Sequence, residues 1–307
     1  MNEKTSIKEK ISTGVANLKK HWETPPDGYY VNYKEFLNLA LGSGSISWLS
    51  VIVSWTTIAI NIPMMISYFK VSTGFIFVSG IVASIFGLVR APILSMMIDN
   101  SNSKKGKFKP FLLWSSILTA VSFTFIPFIP QGWIENILFS FNIPAISIFG
   151  VAASYIEVSF GALVMFLLVQ IGTFFNTLLT QCLTGIEQTV SPVSQERANI
   201  GAFKGLICNI PPSVANSIIP LVAGIVFASS KDPMNNIELY RVAFPICGIG
   251  GVLFVFFTYF GVEERTVVHK EYVAKVKFSE GAKQLFSNKY FWIITIFNIV
   301  VGIRGNI

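Results

Sequence analysis

Charged residues are scarce in this chain. Aspartate, glutamate, lysine and arginine make up 13% of its 307 residues, whereas soluble domains carry roughly 25%. Histidine occurs twice and cysteine three times, and the cysteines at positions 182, 208 and 247 show no metal-ligand spacing. These shortages argue against a soluble enzyme, a zinc site and a disulfide scaffold. No basic–aromatic platform is present, so a nucleic-acid partner is not expected.

Apolar residues are abundant instead. The mean hydropathy is +0.61, and a membrane-spanning helix needs about 20 apolar residues in succession. The runs that approach this length are Phe36–Phe69, Thr73–Ile98, Phe111–Pro130, Val158–Ile186, Gly205–Ser230, Val242–Val262 and a shorter one at Tyr290–Ile303. The sequence therefore predicts an all-α polytopic membrane protein with about seven spans, the first of which Pro63 could bend.

One further apolar run, Ile137–Ile156, is broken by Asn142 and Pro144. The distribution of positive charge tests it, because lysine and arginine concentrate in cytoplasmic loops. Residues 1–34 hold six of them, 104–109 four and 263–289 six, while 131–157 hold none. An even number of spans must then separate the second basic segment from the third. We therefore predict an outer-face excursion at 131–157, formed as an interfacial helix, and a cytoplasmic N-terminus.

This interpretation divides the chain into an N-terminal cytoplasmic extension (1–35), a six-helix bundle (36–262), a cytoplasmic central loop (263–289) and a truncated seventh helix (290–307). Six spans, a linker and a new span are how a six-plus-six transporter begins. Within the extension, Ile7, Ile11, Val15 and Leu18 recur at helical spacing, which predicts a short helix with an apolar stripe. That helix is either solvated or laid on the membrane surface, and both readings stay open.

Three motifs give the chain a family resemblance. The segment from Ala91 to Trp114 holds Pro92, Asp99 and the block Gly106-Lys107-Phe108-Lys109-Pro110. The segment Thr189–Ile200 contains Glu196 and Arg197, and Asn288–Trp292 leads into the last run. In order and spacing these resemble the glycoside–pentoside–hexuronide:cation symporters, which are melibiose-permease-like members of the major facilitator superfamily.

The resemblance implies alternating access of a sugar, glycoside or uronide across the cell membrane, most simply a bacterial plasma membrane. It implies gating by residues in the matching loops, which are Asp99, Gly106, Lys107, Lys109, Glu196 and Arg197. Asp99 is predicted to bond a neighbouring helix end or a loop cation. The alternatives are a water-facing carboxylate at Asp99 and lysines that serve only as the positive-inside signal.

The chain departs from the family at its cation site. The resemblance implies carboxylates one helical turn apart in the second span, where they would share Na⁺ or H⁺. Gly87 and Ala91 stand at those positions, Thr180 stands near the fourth-span acid, and Ser47 stands near the first-span one. None carries a carboxylate, so Na⁺ or H⁺ coupling stays open, and no other cofactor is predicted.

Arg90 lies within the second span instead, about 13 Å along the helix from Asp99. An intramembrane cation normally faces the bundle interior and has a partner. One hypothesis gives Arg90, with Lys204, the carboxylate of a uronide-like substrate. The other is a structural ion pair between Arg90 and Glu187, with Lys204 merely interfacial.

Further substrate-binding candidates are polar or aromatic residues inside the spans. Trp48 could stack on a sugar ring, although its span also carries small residues around Gly42 and Gly44 that favour helix packing. A polar stripe in the fourth span is made of Gln170, Asn176, Thr177 and Gln181, joined by Thr180.

A sugar transporter is the leading functional prediction. The alternative is a non-transporting membrane protein, such as a sensor or a truncated paralogue; a membrane enzyme is not expected, because no nucleophile or metal motif is present. The last run is short of a full span, so we expect a fragment whose partners are lipid, a sugar-like solute and a second half of the transporter.

Overall fold

The computed structural model of the chain describes residues 7–56, 66, 68–101, 103, 106–143, 154–229, 233–265, 280, 283 and 286–293. Six helices among them are long and apolar enough to cross a membrane. The chain is an all-α polytopic membrane protein, which confirms the fold class predicted from its apolar runs.

The described part of the chain forms α-helices and one pair of strands. In chain order they are α1 (Ile7–Lys20), α2 (Tyr33–Trp55), α3 (Thr73–Asp99), α4 (Lys109–Phe125), α5 (Gln131–Glu135), β1 (Ile137–Ile143), β2 (Ser154–Ser159), α6 (Phe160–Thr189), α7 (Ser194–Val226) and α8 (Ile237–Gly261). The candidate spans are α2, α3, α4, α6, α7 and α8. Four of them begin at a side-chain cap, since Asn32, Ser72, Ser159 and Asn236 each accept a backbone N–H from the first turn.

Close helix packing depends on small residues. α2 lies against α7 and α8, while α4 lies against α6 and α8. A Cβ atom at Gly251 of α8 would sit 2.6 Å from the Leu49 side chain of α2, and one at Gly172 of α6 would sit 2.6 Å from the Phe123 ring of α4. Glycine at these two positions lets the helix backbones approach, as is usual in membrane bundles.

The interfacial helix predicted for Ile137–Ile156 is wrong. β1 and β2 pair antiparallel there, with Phe141 opposite Ile156 and Ser140 opposite Glu157. The physical reason is the residue alternation: aromatic and β-branched residues are interleaved with Ser140, Asn142 and Glu157, a pattern that fits a strand. Residues 144–153 lie outside the described part of the chain. The described residues of the run, 137–143 and 154–156, form strands and belong to no candidate span, in keeping with the charge distribution.

One boundary also differs from prediction. α7 begins at Ser194 rather than near Gly205, because its first turns are polar and an apolar-run criterion does not detect them. Glu196 and Arg197 therefore lie in a helix and not in a loop. Pro63 lies outside the described residues, as does most of the predicted central loop and seventh helix.

Apolar side chains remain exposed along several spans. On α3 they include Ile81, Ile85, Phe86, Val89, Ile93 and Met97, and on α7 they include Leu206, Ile210, Ile218, Leu221, Ile225 and Val226. Only a small share of the α3 span is buried, against half or more of α2 and α4. These faces are suited to lipid or to further helices.

Candidate functional site

The polar stripe predicted in the fourth span lies on α6. Gln170, Asn176, Thr180 and Gln181 are all partly buried. The Thr180 hydroxyl donates to the Asn176 carbonyl at 2.9 Å, so its proton is used within the helix. The Asn176 Oδ1 and Gln181 Oε1 atoms are buried and have no hydrogen-bond partner among the described residues. α6 thus carries two open acceptors inside a span.

A buried acceptor without a partner is costly. Removing an amide oxygen from water without a replacement hydrogen bond costs about 1–3 kcal/mol by mutational measures, and polar groups inside spans are by default functional candidates. A solute rich in hydroxyl groups would supply the missing donors, as would water. The stripe can therefore bind a polyhydroxylated ligand.

The ion pair predicted between Arg90 and Glu187 is not present. Glu187, in the last turn of α6, pairs instead with Lys204 of α7 at 2.5 Å between Oε2 and Nζ. Both side chains are about four-fifths buried, so Lys204 is a structural partner rather than an interfacial one. Helix geometry explains the choice, because Glu187 and Lys204 flank the short turn that joins α6 to α7.

Arg90 has no ion pair with any residue the structure describes. It is partly buried on α3, on the side that also carries the buried Leu94 and Ile98. α3 contacts α6 on its bundle side. Counted back from the helix ends at Asp99 and Thr189, Arg90 and Thr180 are both nine residues deep, so Arg90 lies at the level of the polar stripe.

Trp48 lies elsewhere. It lines an apolar groove of about 410 Å³ between α7 and α8, together with residues such as Ile218, Val222 and Ile246. The indole is 6.3 Å from the Phe254 ring, and its Nε1 is buried without a described acceptor. The α6 stripe contributes no lining residue to this groove, so the structure does not bring Trp48 together with the other substrate-binding candidates.

A second cluster lies where α2, α4 and α7 begin and α3, α6 and α8 end, called here the N-terminal end of the bundle. Glu264, just after α8, accepts three backbone N–H groups of α4's first turn. The distances are 2.7 Å from Lys107 N, 3.1 Å from Phe108 N and 2.8 Å from Lys109 N. A carboxylate at a helix N-terminus satisfies orphan donors and complements the helix dipole, so Glu264 joins α8 to α4.

Asp99 bonds a loop cation, one of the two contacts its position predicts. Its Oδ1 lies 2.6 Å from Lys107 Nζ. Both side chains are substantially exposed, and such pairs contribute about 0–1 kcal/mol. Lys107 and Lys109 therefore act here mainly through their backbone N–H groups, which Glu264 holds.

Glu196 and Arg197, predicted as gating residues, both bind backbone. The buried Glu196 carboxylate accepts N–H bonds from Tyr30 at 3.2 Å and Val31 at 2.8 Å, and a hydroxyl bond from Ser191 at 2.5 Å. Arg197 donates to the Ser191 carbonyl at 2.8 Å. The start of α7 is thereby fastened to the segment that precedes α2.

Glu35 and Arg265 form a bidentate pair that sequence reasoning missed. Arg265 donates to the two carboxylate oxygens at 2.8 and 2.5 Å, and the Glu263 backbone N–H donates to Glu35 at 2.8 Å. Hydrogen bonding to Glu35 raises the pKa of Arg265 above its ordinary value, although burial opposes the shift. An acid in the first turn of an apolar helix, facing a basic segment, was the available signal.

The glutamates Glu35, Glu196 and Glu264 are named here the carboxylate clasp. Each accepts backbone N–H groups of a different segment, so together they tie α2 to the segment after α8, α7 to the segment before α2, and the end of α8 to the start of α4. Within the described ranges, no group of three or more histidine, cysteine or acidic side chains could hold a metal ion.

The backbone at Gly106 lies directly against the Glu264 carboxylate of this clasp. Its φ of +113° is one that side-chain-bearing residues rarely adopt, and a Cβ there would lie 2.5 Å from the Glu264 Cδ. We expect Gly106→Ala to destabilise the purified protein by about 2 kcal/mol, measured by SDS titration of the helical signal. The control is Gly80→Ala, since a Cβ at that site on α3 meets nothing within 4 Å. Equal stability of the two variants would contradict the role of Gly106.

Comparison with known proteins gives two matches. The model of the family described as MFS/sugar transport protein matches residues 57–304. The protein named "Uncharacterized symporter YnaJ" of Bacillus subtilis (strain 168) is 24% identical over 228 residues, which cover 72% of this chain and 42% of that protein. The chain thus spans less than half the length of the curated relative it matches.

Proposed function

Because the chain belongs to the MFS/sugar transport protein family, we propose that it carries a sugar-like solute, such as a glycoside or uronide, across a cell membrane by alternating access. The carrying observation is the pair of buried, unpartnered acceptors on α6, Asn176 Oδ1 and Gln181 Oε1. Sugar hydroxyls supply donors to both. The matching relative is named as a symporter, which agrees with a transport function.

The charge of Arg90 makes an anionic sugar the better substrate. It lies at the depth of the α6 stripe, on the bundle side of α3, and has no ion pair with a described residue. A guanidinium binds a carboxylate through paired hydrogen bonds, as a uronide would offer. Gly87 and Ala91 carry no side chain that could bind Na⁺ or H⁺, so we propose no coupling ion.

The N-terminal end is proposed to be the cytoplasmic side and to serve as a gate. The clasp joins helix ends through hydrogen bonds to charged groups, worth roughly 1.5–3 kcal/mol each, and these must break if the ends separate. The predicted gating residues belong to the carboxylate clasp or lie next to it; they are Asp99, Gly106, Lys107, Lys109, Glu196 and Arg197.

A second half is proposed to cover the exposed apolar faces of α3 and α7. The match to the relative covers 42% of that protein's length, which leaves room for further spans there. A transporter site of this class lies at the interface between two halves near the membrane midplane, and we propose that Arg90 and Asn176 contribute to it.

The experiment is uptake of labelled glycosides into vesicles that contain the full-length protein. Asn176→Ala and Gln181→Ala are each expected to reduce uptake at low substrate concentration by about tenfold, since one hydrogen bond lost is worth about 1.4 kcal/mol. Thr184→Ala is the matched control, because Thr184 is an exposed polar residue of the same helix. If all three variants transport like the unaltered protein, the stripe is not the site.

A further inference from the structure

α1 is the element that the proposed transport function leaves unused. Its described residues 12–20 are exposed along the whole length, and Val15 and Leu18 each expose about half of their surface. Trp22, Tyr29 and Tyr30 follow with large exposed rings. Isolated exposed apolar residues are ordinary, but two on one helix followed closely by three exposed aromatic rings form a candidate binding face.

The position of α1 decides what that face meets. The Tyr33 N–H donates to the His21 carbonyl and the Lys34 N–H to the Trp22 carbonyl, at 3.1 and 3.2 Å. These bonds fix the end of α1 beside the first turn of α2, a candidate span that begins at Tyr33. α1 is therefore anchored at the level where the chain enters the membrane, and tryptophan and tyrosine are the residues that prefer this interface.

The side of α1 turned to the bundle forms a slot. Gly14, Leu18 and Trp22 line a cavity of about 310 Å³ together with Phe36 of α2 and Phe203 of α7. Its lining is almost wholly apolar. An acyl chain fits such a slot, whereas a soluble protein partner would have to reach it through the lipid headgroups.

Charge is arranged around the apolar stripe of α1. At 100° per residue, Val15 and Leu18 lie on one side of α1. Lys19 borders this side, while Ala16 and Lys20 fall on the far side. A lysine beside an apolar stripe is typical of a helix that lies in an anionic lipid interface.

We propose that α1 binds the anionic phospholipid surface at the N-terminal end of the bundle, with Val15 and Trp22 among acyl chains and Lys19 at the phosphates. The carboxylate clasp links this membrane contact to α7, because Glu196 at the start of α7 accepts N–H bonds from Tyr30 and Val31 just before α2. Lipid charge would then bias the position of the α6–α7 turn. The proposal requires the spans but not sugar transport, so it can fail or hold independently of the proposed function.

The test uses the full chain with Cys208 replaced by alanine, reconstituted in phosphatidylcholine vesicles with or without phosphatidylglycerol. A polarity-sensitive fluorophore is attached at Val15→Cys or, as the matched control, at Ala16→Cys. In phosphatidylglycerol vesicles the label at position 15 should shift to the blue and be quenched by nitroxide lipids. The label at position 16 should stay accessible to iodide.

Two lysine variants complete the design. Lys19→Gln should lower the ratio of membrane-docked to undocked α1 about fivefold, the equivalent of about 1 kcal/mol for one lysine at an anionic surface. Lys20→Gln, on the far side, should change the ratio less than about twofold. Equal water accessibility at positions 15 and 16 would overturn the proposal. So would docking that ignores phosphatidylglycerol, or docking that Lys19→Gln and Lys20→Gln weaken alike.

Discussion

Replacing Glu264 with glutamine is expected to reduce the free energy of unfolding by about 2 kcal/mol. The carboxylate accepts three N–H bonds at the start of α4, and each bond to a charged group is worth roughly 1.5–3 kcal/mol. Glutamine keeps one acceptor oxygen, so part of this energy survives. The measurement is SDS titration of the purified protein, followed by circular dichroism.

Glu263→Gln is the matched control, because Glu263 is exposed and contributes its backbone N–H rather than its carboxylate. Hydrogen exchange gives a local readout: the amides of residues 107–109 should exchange faster in Glu264→Gln and be unchanged in Glu263→Gln. If the two variants lose equal stability, or if these amides keep their protection, Glu264 does not cap α4.

Breaking the ion pair between Lys204 and Glu187 is expected to cause the second large loss in the free energy of unfolding. Both side chains are about four-fifths buried and lie 2.5 Å apart, and removing one partner of a buried pair costs about 3–5 kcal/mol because the other charge is left uncompensated. We expect Lys204→Gln and Glu187→Gln each to cost about 3 kcal/mol. The double variant should cost clearly less than their sum, with a coupling energy of about 2 kcal/mol.

A double-mutant cycle of Arg90 and Glu187 tests whether Arg90 or Lys204 is the partner of Glu187. Arg90→Gln combined with Glu187→Gln should be additive within about 0.5 kcal/mol, since the structure pairs Glu187 with Lys204. Coupling between Arg90 and Glu187, with additivity between Lys204 and Glu187, would reverse the assignment and remove Arg90 from the substrate site.

The spans were predictable because their signal is local. Apolar length places the start of α2 and both ends of α3, α4, α6 and α8 to within about five residues. The basic segments agree with the strands found at 137–143 and 154–156, which belong to no candidate span. The β-hairpin was missed because an apolar run with one proline was interpreted by hydropathy alone, although its alternation of Phe139, Ser140 and Phe141 indicates a strand. The start of α7 was missed because its first turns are polar.

The site was less predictable because its contacts join distant parts of the chain. Asp99 and Lys107 are near neighbours in sequence, and their contact could be expected. Glu264 contacts Lys107 and Arg265 contacts Glu35 although 157 and 230 residues separate them in sequence, and spacing cannot reveal such pairs. Of the two hypotheses for Arg90, the ion pair with Glu187 is wrong because Glu187 pairs with Lys204. That choice depends on how α6 and α7 pack rather than on sequence spacing.

Uptake of a labelled glucuronide, set against the matching neutral glucoside, tests the central claim that the stripe of α6 and Arg90 together bind an anionic sugar. Vesicles containing the full-length protein are compared with those containing Arg90→Gln, with and without Na⁺ and pH gradients. We predict saturable uptake of both sugars, a preference for the glucuronide of at least about tenfold, and loss of that preference alone in Arg90→Gln. Absence of saturable uptake, or an unchanged preference in the variant, would contradict the account.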